Sequence, residues 1–174
     1  IARIEQAIAE LGGTPEKILV THAHIDHAGA VAELAERLGV PIEGPQREDQ
    51  FWIDMLPHQS QMFGFPPSRA FTPDRWLEDD EERAVGGGVA LHTPGHTPGS
   101  MSFWFADAKL LIAGDTLFRR VVGRTDLWGG DQRAIVRSIK ERLYRLDEEA
   151  IVVTGHGPDT RLGDEMRENP FVRA

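Results

Sequence analysis

Thr21-His22-Ala23-His24-Ile25-Asp26-His27 places three imidazoles and one carboxylate within six positions, His22 to His27. Its flanks say what carries it. Lys17 to Thr21 is short, apolar and partly β-branched, the pattern of a buried strand running into His22. Downstream, Val31, Leu34, Ala35 and Leu38 recur at i, i+3, i+4 and i+7, and Gly39 and Pro41 end the run, so a helix is predicted over Asp26 to Leu38. The unit reads strand, histidine-rich turn, helix. In an extended segment residues i and i+2 share a face, so His22 and His24 can point at one ion, while Asp26 and His27, turned by the helix start, can point at another. Singly, Asp26 reads as an N-cap and a strand histidine as a satisfied core or surface residue. The density of the cluster favours metal ligation.

Further donors follow predicted strands. His96 sits in His92-Thr93-Pro94-Gly95-His96-Thr97-Pro98-Gly99, a tight turn in which Pro and Gly fix the backbone. Asp115 follows Leu110 to Gly114, and His156 lies between two glycines after Ile151 to Thr154; glycine beside a ligand lets the backbone approach a site. The set comes to five His and two Asp, each just beyond a predicted strand. His58 and His92 are not read as ligands; His92, near His96, is the better supporting group.

The rest of the chain reads as one soluble domain. A helix is predicted over residues 1 to 11 (Ile1, Ile4, Ile8, Leu11), stopped by Gly12 and Gly13. Residues 45 to 85, broken by Pro57, Pro66, Pro67 and Pro73 and closed by the acidic run Glu78 to Glu82, predict irregular helices and loops. Strands are predicted at Val89 to Thr93, Met101 to Phe105 and Lys109 to Ala113, the last two forming a hairpin at a sheet edge. Ile135 to Leu146 follows as a long amphipathic helix, then a strand at Ile151 to Thr154. Phe51, Trp52, Met55, Met62, Phe63 and Phe65 either pack against the body, the weightier reading, or wall the metals.

Composition narrows the function. The 174 residues carry 19 Lys plus Arg against 28 Asp plus Glu, a net charge of −9, which argues against a nucleic-acid backbone as partner. A chain this long can bury roughly 70% of its unfolded surface without cross-links. The chain has no cysteine, excluding disulfides, Cys-ligated zinc and a cysteine nucleophile and fitting a reducing, cytoplasmic setting. The longest stretch without Asp, Glu, Lys or Arg, Ala84 to Ala106, is interrupted by Gly, Pro, His and Thr and is no membrane span. Opening on Ile1, with neither initiator Met nor signal segment, the sequence reads as a truncated record.

His22-X-His24-X-Asp26-His27 followed by His96, Asp115 and His156 resembles the metallo-β-lactamase fold superfamily, and within it the short, single-domain glyoxalase II-like hydrolases of bacteria. The likeness extends over Thr72 to Leu77, His96 to Ser100, Gly114 to Phe118, Gly123-Arg124-Thr125-Asp126, Gly155 to Pro158 and Asn169-Pro170-Phe171. It implies an α+β fold, a four-layer αββα sandwich spanning residues 1–174 as one domain, with the family's N-terminal strands missing and the metals at one edge of two sheets. It also implies two divalent ions, zinc first with iron or manganese acceptable to the same donors. One would sit on His22, His24 and His96, the other on Asp26, His27 and His156, with Asp115 bridging. Two such ions roughly 3.5 to 4 Å apart lower the pKa of a shared water from about 15.7 to near 7. The implied reaction is attack of that hydroxide, aided by Asp26 and Asp115, on a small-molecule thioester such as S-D-lactoylglutathione. The missing cysteine counts against β-lactamases that use a Cys ligand.

The implied substrate contacts are Arg124, where the full-length enzymes place a Lys nine residues after the bridging Asp, and Arg119, with Arg120 a further candidate. Departures bear on glutathione: Asp126 and Pro158 stand where those enzymes have tyrosines, and their C-terminal helical domain is missing. Arg124 is thus read either on a substrate carboxylate or paired with Asp126. The rivals are a persulfide dioxygenase with one iron on His22, His96 and Asp115, and a non-catalytic metal-binding domain. The oligomeric state is unknown from the sequence.

Overall fold

The computed structural model describes residues 1–79, 81–84 and 87–173. Its larger sheet grows from alternating apolar residues in β4 (Gly88–His92), β5 (Met101–Phe105) and β6 (Leu110–Gly114), which pair antiparallel with Phe103 opposite both Ala90 and Ile112. β9 (Ile151–Thr154) joins β6 in parallel, while β3 (Glu81–Ala84) and β10 (Thr160–Arg161) close the two edges. The order is β10-β9-β6-β5-β4-β3. The β5–β6 hairpin, expected at an edge, is therefore central, because β9 and β10 add beyond β6. The acidic run read as a loop enters edge strand β3, a position that tolerates charge.

Period-2 alternation sends the strand residues to two different cores. Leu91, Leu111, Ala113 and Val152 pack on Ile135 and Ile139 of α6 (Gln132–Glu141) and on Leu162 of α7 (Leu162–Glu168). Ala90, Met101 and Phe103 face the other way, onto Leu77 and Leu19. Leu19 belongs to β1 (Ile18–Leu19), which pairs in parallel with β2 (Ile42–Glu43). Beyond this pair, Val20 and Ile42 meet the buried faces of α2 (Ile25–Ala28), α3 (Val31–Leu38), α4 (Gln50–Asp54) and α5 (Leu56–Phe63) through Ile25, Val31, Ile53 and Leu56. Helices, large sheet, small sheet and helices make the four-layer α+β sandwich. Each fully buried Leu, Ile or Phe contributes about 1.5–3 kcal/mol of burial free energy, so three such clusters hold the layers together.

Several elements differ from expectation. The helix expected over Asp26 to Leu38 is two helices, with Gly29 and Ala30 between them; a Cβ on Gly29 would lie 2.5 Å from the Ile25 carbonyl oxygen, and the Ser68 hydroxyl donates to the Gly29 carbonyl at 2.7 Å. Pro57 stands in the first turn of α5, where a missing N–H costs nothing. The Asp131 side chain caps α6 through the amides of Arg133 and Ala134, and the helix ends at Glu141 before a 3₁₀ turn at Leu143–Arg145 rather than running to Leu146. α1 (Ala2–Leu11) ends at left-handed Gly12, as its sequence indicates. The hairpin of β7 (Leu117–Phe118) and β8 (Val121–Val122) was not anticipated, nor were β2, β10 and α7. Among the described residues no helix is long and apolar enough to cross a membrane.

Candidate metal centre

Four strand ends deliver the donors to one rim. β1 runs into His22 and His24, and α2 begins at once, turning Asp26 and His27 toward the same place. β6 and β9 are adjacent and parallel, with Gly114 opposite Thr154, so their shared exit sets Asp115 beside His156. His96 rides the turn after β4, closed by the Thr93 amide on the Ser100 carbonyl at 2.8 Å. Gly95 lets this turn touch α6: at φ 138°, a Cβ there would lie 2.3 Å from the Ile135 nitrogen. The Ser138 hydroxyl fixes the same turn by donating to the Pro94 carbonyl at 2.7 Å.

All seven expected donors converge. His24 Nδ1 lies 2.9 Å from His96 Nε2, and His27 Nε2 lies 3.1 Å from His156 Nε2. The Asp115 carboxylate reaches His27 at 3.2 Å and both His96 and His156 at 3.5 Å, while Asp26 Oδ2 is 3.0 Å from His156 Nε2. Among the described residues three donor groups of cation-holding size result: His22, His24 and His96; Asp26, His27 and His156; and His22, His27 and Asp115. His22 supplies the test of fit. Its Nδ1 is 3.1 Å from Thr21 Oγ1, whereas its buried Nε2 has no hydrogen-bond partner among the described residues. An unsatisfied buried polar atom costs about 1–3 kcal/mol, a cost a bound cation would remove.

The electrostatics suit ligation, which needs neutral imidazoles and ionised carboxylates. Burial, reinforced by neighbouring imidazoles, holds His22 well below its ordinary value and lowers His24 to about 4. Burial also lowers His96. His27 differs: burial pulls it down, but the hydrogen bond and charge of Asp115, with Asp26, outweigh this and raise it. Asp115 is held low because His27, His96 and His156 overcome its desolvation. As pH falls, a group with a raised pKa takes its proton first, so a cation on Asp26, His27 and His156 should leave at higher pH than one on His22, His24 and His96. Metal retained per chain, measured across an acid series, should fall in two steps; one step for both would contradict this order.

Supporting contacts fix the donors. His96 Nδ1 donates to the Arg124 carbonyl at 2.8 Å, aiming Nε2 at the centre. His92, as expected, is no donor to the cluster; its Nε2 meets the Pro98 carbonyl at 2.8 Å and braces the His96 turn. Two buried residues escaped the sequence reading. Asp49 accepts from the Ala23 amide at 3.0 Å, the Thr97 hydroxyl at 2.9 Å and the Gly99 amide at 2.7 Å, tying the first ligand loop to the His96 turn. Gln59 accepts from the Ile25 amide at 3.0 Å and donates to the Trp52 carbonyl at 2.9 Å. Nothing in the spacing of Asp49 or Gln59 marks either one. Gly155 is required for close approach: a Cβ there would lie 2.0 Å from Asp115 Oδ1 and 3.0 Å from His27 Cε1. Gly155→Ala should therefore displace the Asp115 carboxylate and lower metal stoichiometry by at least one ion per chain; full occupancy in elemental analysis would refute that.

The centre opens into a cavity of about 500 Å³ walled by Trp52, Phe63, Phe65 and Leu127, with Arg124 among its lining residues. The aromatic segment thus divides. Trp52 is buried in the core while also lining the cavity, and Phe63 and Phe65 are exposed at its mouth, so the packing reading holds only for the inner residues. His58 is exposed. Arg119, read as a substrate contact, lies exposed between β7 and β8 and does not line the cavity; a two-residue hairpin invisible in the sequence turns it outward.

Comparison with known proteins agrees with this architecture. Residues 1–156 match the family model for the metallo-beta-lactamase superfamily. The chain belongs to the metallo-beta-lactamase superfamily. It is 40% identical over 175 residues to hydroxyacylglutathione hydrolase GloC of Haemophilus influenzae, covering 99% of this chain and 82% of that one. Among solved structures it resembles TTHA1623 in a di-iron-bound form, with TM-score 0.89 and 38% identity over 98% of this chain and 84% of that one. It is similar also to the BLEG-1 B3 metallo-beta-lactamase, with TM-score 0.89 and 35% identity over 99% and 84% of the two chains.

Proposed function

We propose that this chain is a metal-dependent hydrolase that cleaves a small-molecule thioester. The observation that carries this reading is the Asp115 carboxylate, 3.2 Å from His27 and 3.5 Å from both His96 and His156, set between two imidazole groups. His22, His24 and His96 would hold one divalent ion, Asp26, His27 and His156 the second, and Asp115 both. Ions held there supply water of lowered pKa and polarise a carbonyl.

The protein's own groups do the rest. Asp115 and Asp26 bring negative charge that offsets the cations. Arg124, through its carbonyl, keeps the His96 ring aimed inward. Asp26 both lines the cavity and stands 3.0 Å from His156, the place for a carboxylate that takes a proton from the attacking water and passes it to the departing thiolate. The apolar wall excludes water from the acyl group. Overall, water adds across the acyl C–S bond, the oxygen going to carbon and a proton to sulfur. Zinc is the expected ion; the di-iron relative makes iron the first alternative, and imidazole and carboxylate accept both. The hydroxyacylglutathione hydrolase named among the relatives supports thioester chemistry. The acidic, cysteine-free chain suits a cytoplasmic small-molecule enzyme with no nucleic-acid or membrane partner.

The test combines elemental analysis with three assays: loss of thioester absorbance, oxygen uptake with glutathione persulfide, and cleavage of a chromogenic cephalosporin, included because of the B3 relative. Two ions per chain with thioester cleavage is expected. Oxygen uptake on one iron would favour the dioxygenase, and bound metal without turnover would favour a metal-binding domain.

A further inference from the structure

Arg124 lines the cavity, and among the described lining residues it is the one Arg or Lys. Its fork is already filled. Nε donates to Asp126 Oδ1 at 2.7 Å and Nη2 to Asp126 Oδ2 at 2.8 Å, the parallel two-bond geometry in which guanidinium recognises a carboxylate. The pair is no brace for the fold: both side chains are well exposed, at 61% and 70%, and only one residue separates them. The Arg124 guanidinium holds the Asp126 carboxyl down at about 2, so the pair stays charged at any pH of interest. An incoming carboxylate would have to displace this tethered one. Away from Gln59 and the proposed metal donors the lining is apolar, with Ile25, Trp52, Phe63, Phe65 and Leu127, so among the described lining residues no second Lys or Arg is there to receive a displaced or incoming carboxylate.

We propose that Asp126 determines specificity by occupying the anion-binding fork of Arg124, so that the site favours thioesters whose thiol bears no carboxylate over those of glutathione. This rests on the thioester hydrolase reading above. The chemistry selects a thiol of amide or alkyl character, which the apolar wall can receive without breaking the ion pair.

The test compares kcat/KM of the metal-loaded protein on S-D-lactoylglutathione and on S-D-lactoyl-N-acetylcysteamine for wild type, Asp126→Ala and Asp126→Asn. Both substitutions should raise the glutathione-to-cysteamine ratio about fivefold, the upper end of what an exposed ion pair is worth. Adding Arg124→Ala should cancel the gain. A second readout is independent of turnover: calorimetric affinity for S-hexylglutathione, an unreactive thioether, should tighten by a similar factor in the Asp126 variants and weaken with salt. Turnover with an unchanged ratio and unchanged S-hexylglutathione affinity overturns the Asp126 assignment alone. Failure of wild type to cleave either ester overturns the hydrolase reading and this assignment with it.

Discussion

Asp115→Ala should fold and lose on the order of 10³-fold in kcat/KM on a thioester, about 4 kcal/mol at 1.36 kcal/mol per decade. The side chain is 11% exposed at the exit of β6, so its removal opens little core. Its loss strips the shared anion from three imidazoles, those of His27, His96 and His156, which lie 3.2 to 3.5 Å from it. Two cations held there as proposed would, without that carboxylate, repel each other across a partly desolvated site. Asp115→Asn separates charge from shape: it should fall nearly as far as the alanine. Wild-type rate in either variant, measured with metal content confirmed, would contradict the bridging role.

Asp49→Asn should weaken metal affinity by roughly 10- to 100-fold, the usual cost of losing a group that orients ligands, and destabilise the fold by about 1–3 kcal/mol through unmet donors. The carboxylate accepts three hydrogen bonds, on both oxygens, from Ala23, Thr97 and Gly99. An amide has one acceptor oxygen, so its NH₂ must oppose either the Gly99 amide or the Ala23–Thr97 side. The first ligand loop and the His96 turn then lose their common register. Burial pushes the Asp49 carboxyl up from 3.8 to about 6. A raised folded-state value means the native chain binds this proton more readily than the unfolded one, so the group's stability contribution is full in acid and declines as pH rises through the window from about 4 to 6. Titrating stability by denaturant should show the gap between wild type and variant narrowing across that window, while the affinity gap widens as Asp49 ionises. Equal metal affinity in the two proteins at pH 8 would end the positioning role.

The converging donor side chains were legible because each follows the end of a periodic apolar run. Met101 to Phe105 and Ile151 to Thr154 are strands with the bounds the sequence indicates, and His96, Asp115 and His156 are reached through turns marked by Gly and Pro. What stayed hidden has no period. β2, β7, β8 and β10 are two residues each, too short to alternate, and their existence depends on partners elsewhere in the chain. The apparent helix over Asp26 to Leu38 took its pattern from Val31, Leu34, Ala35 and Leu38, all in α3, and so could not report the break at Gly29 and Ala30. Asp49 and Gln59 act through hydrogen bonds to backbone 26 and 34 positions away, a relation no local spacing encodes. Whether Arg124 faces a ligand or Asp126 was likewise a question of side-chain geometry.

His27 and His156 touch across 129 positions of sequence. An ion gripping both therefore closes a ring that takes in most of the chain, in a protein with no cysteine to do so. Cross-linking a loop of about a hundred residues removes on the order of 4.7 kcal/mol of unfolded-state freedom. The cation would act as a clasp as well as a reagent, making chelation a structural insult and tying the persistence of the folded chain to the cell's supply of metal.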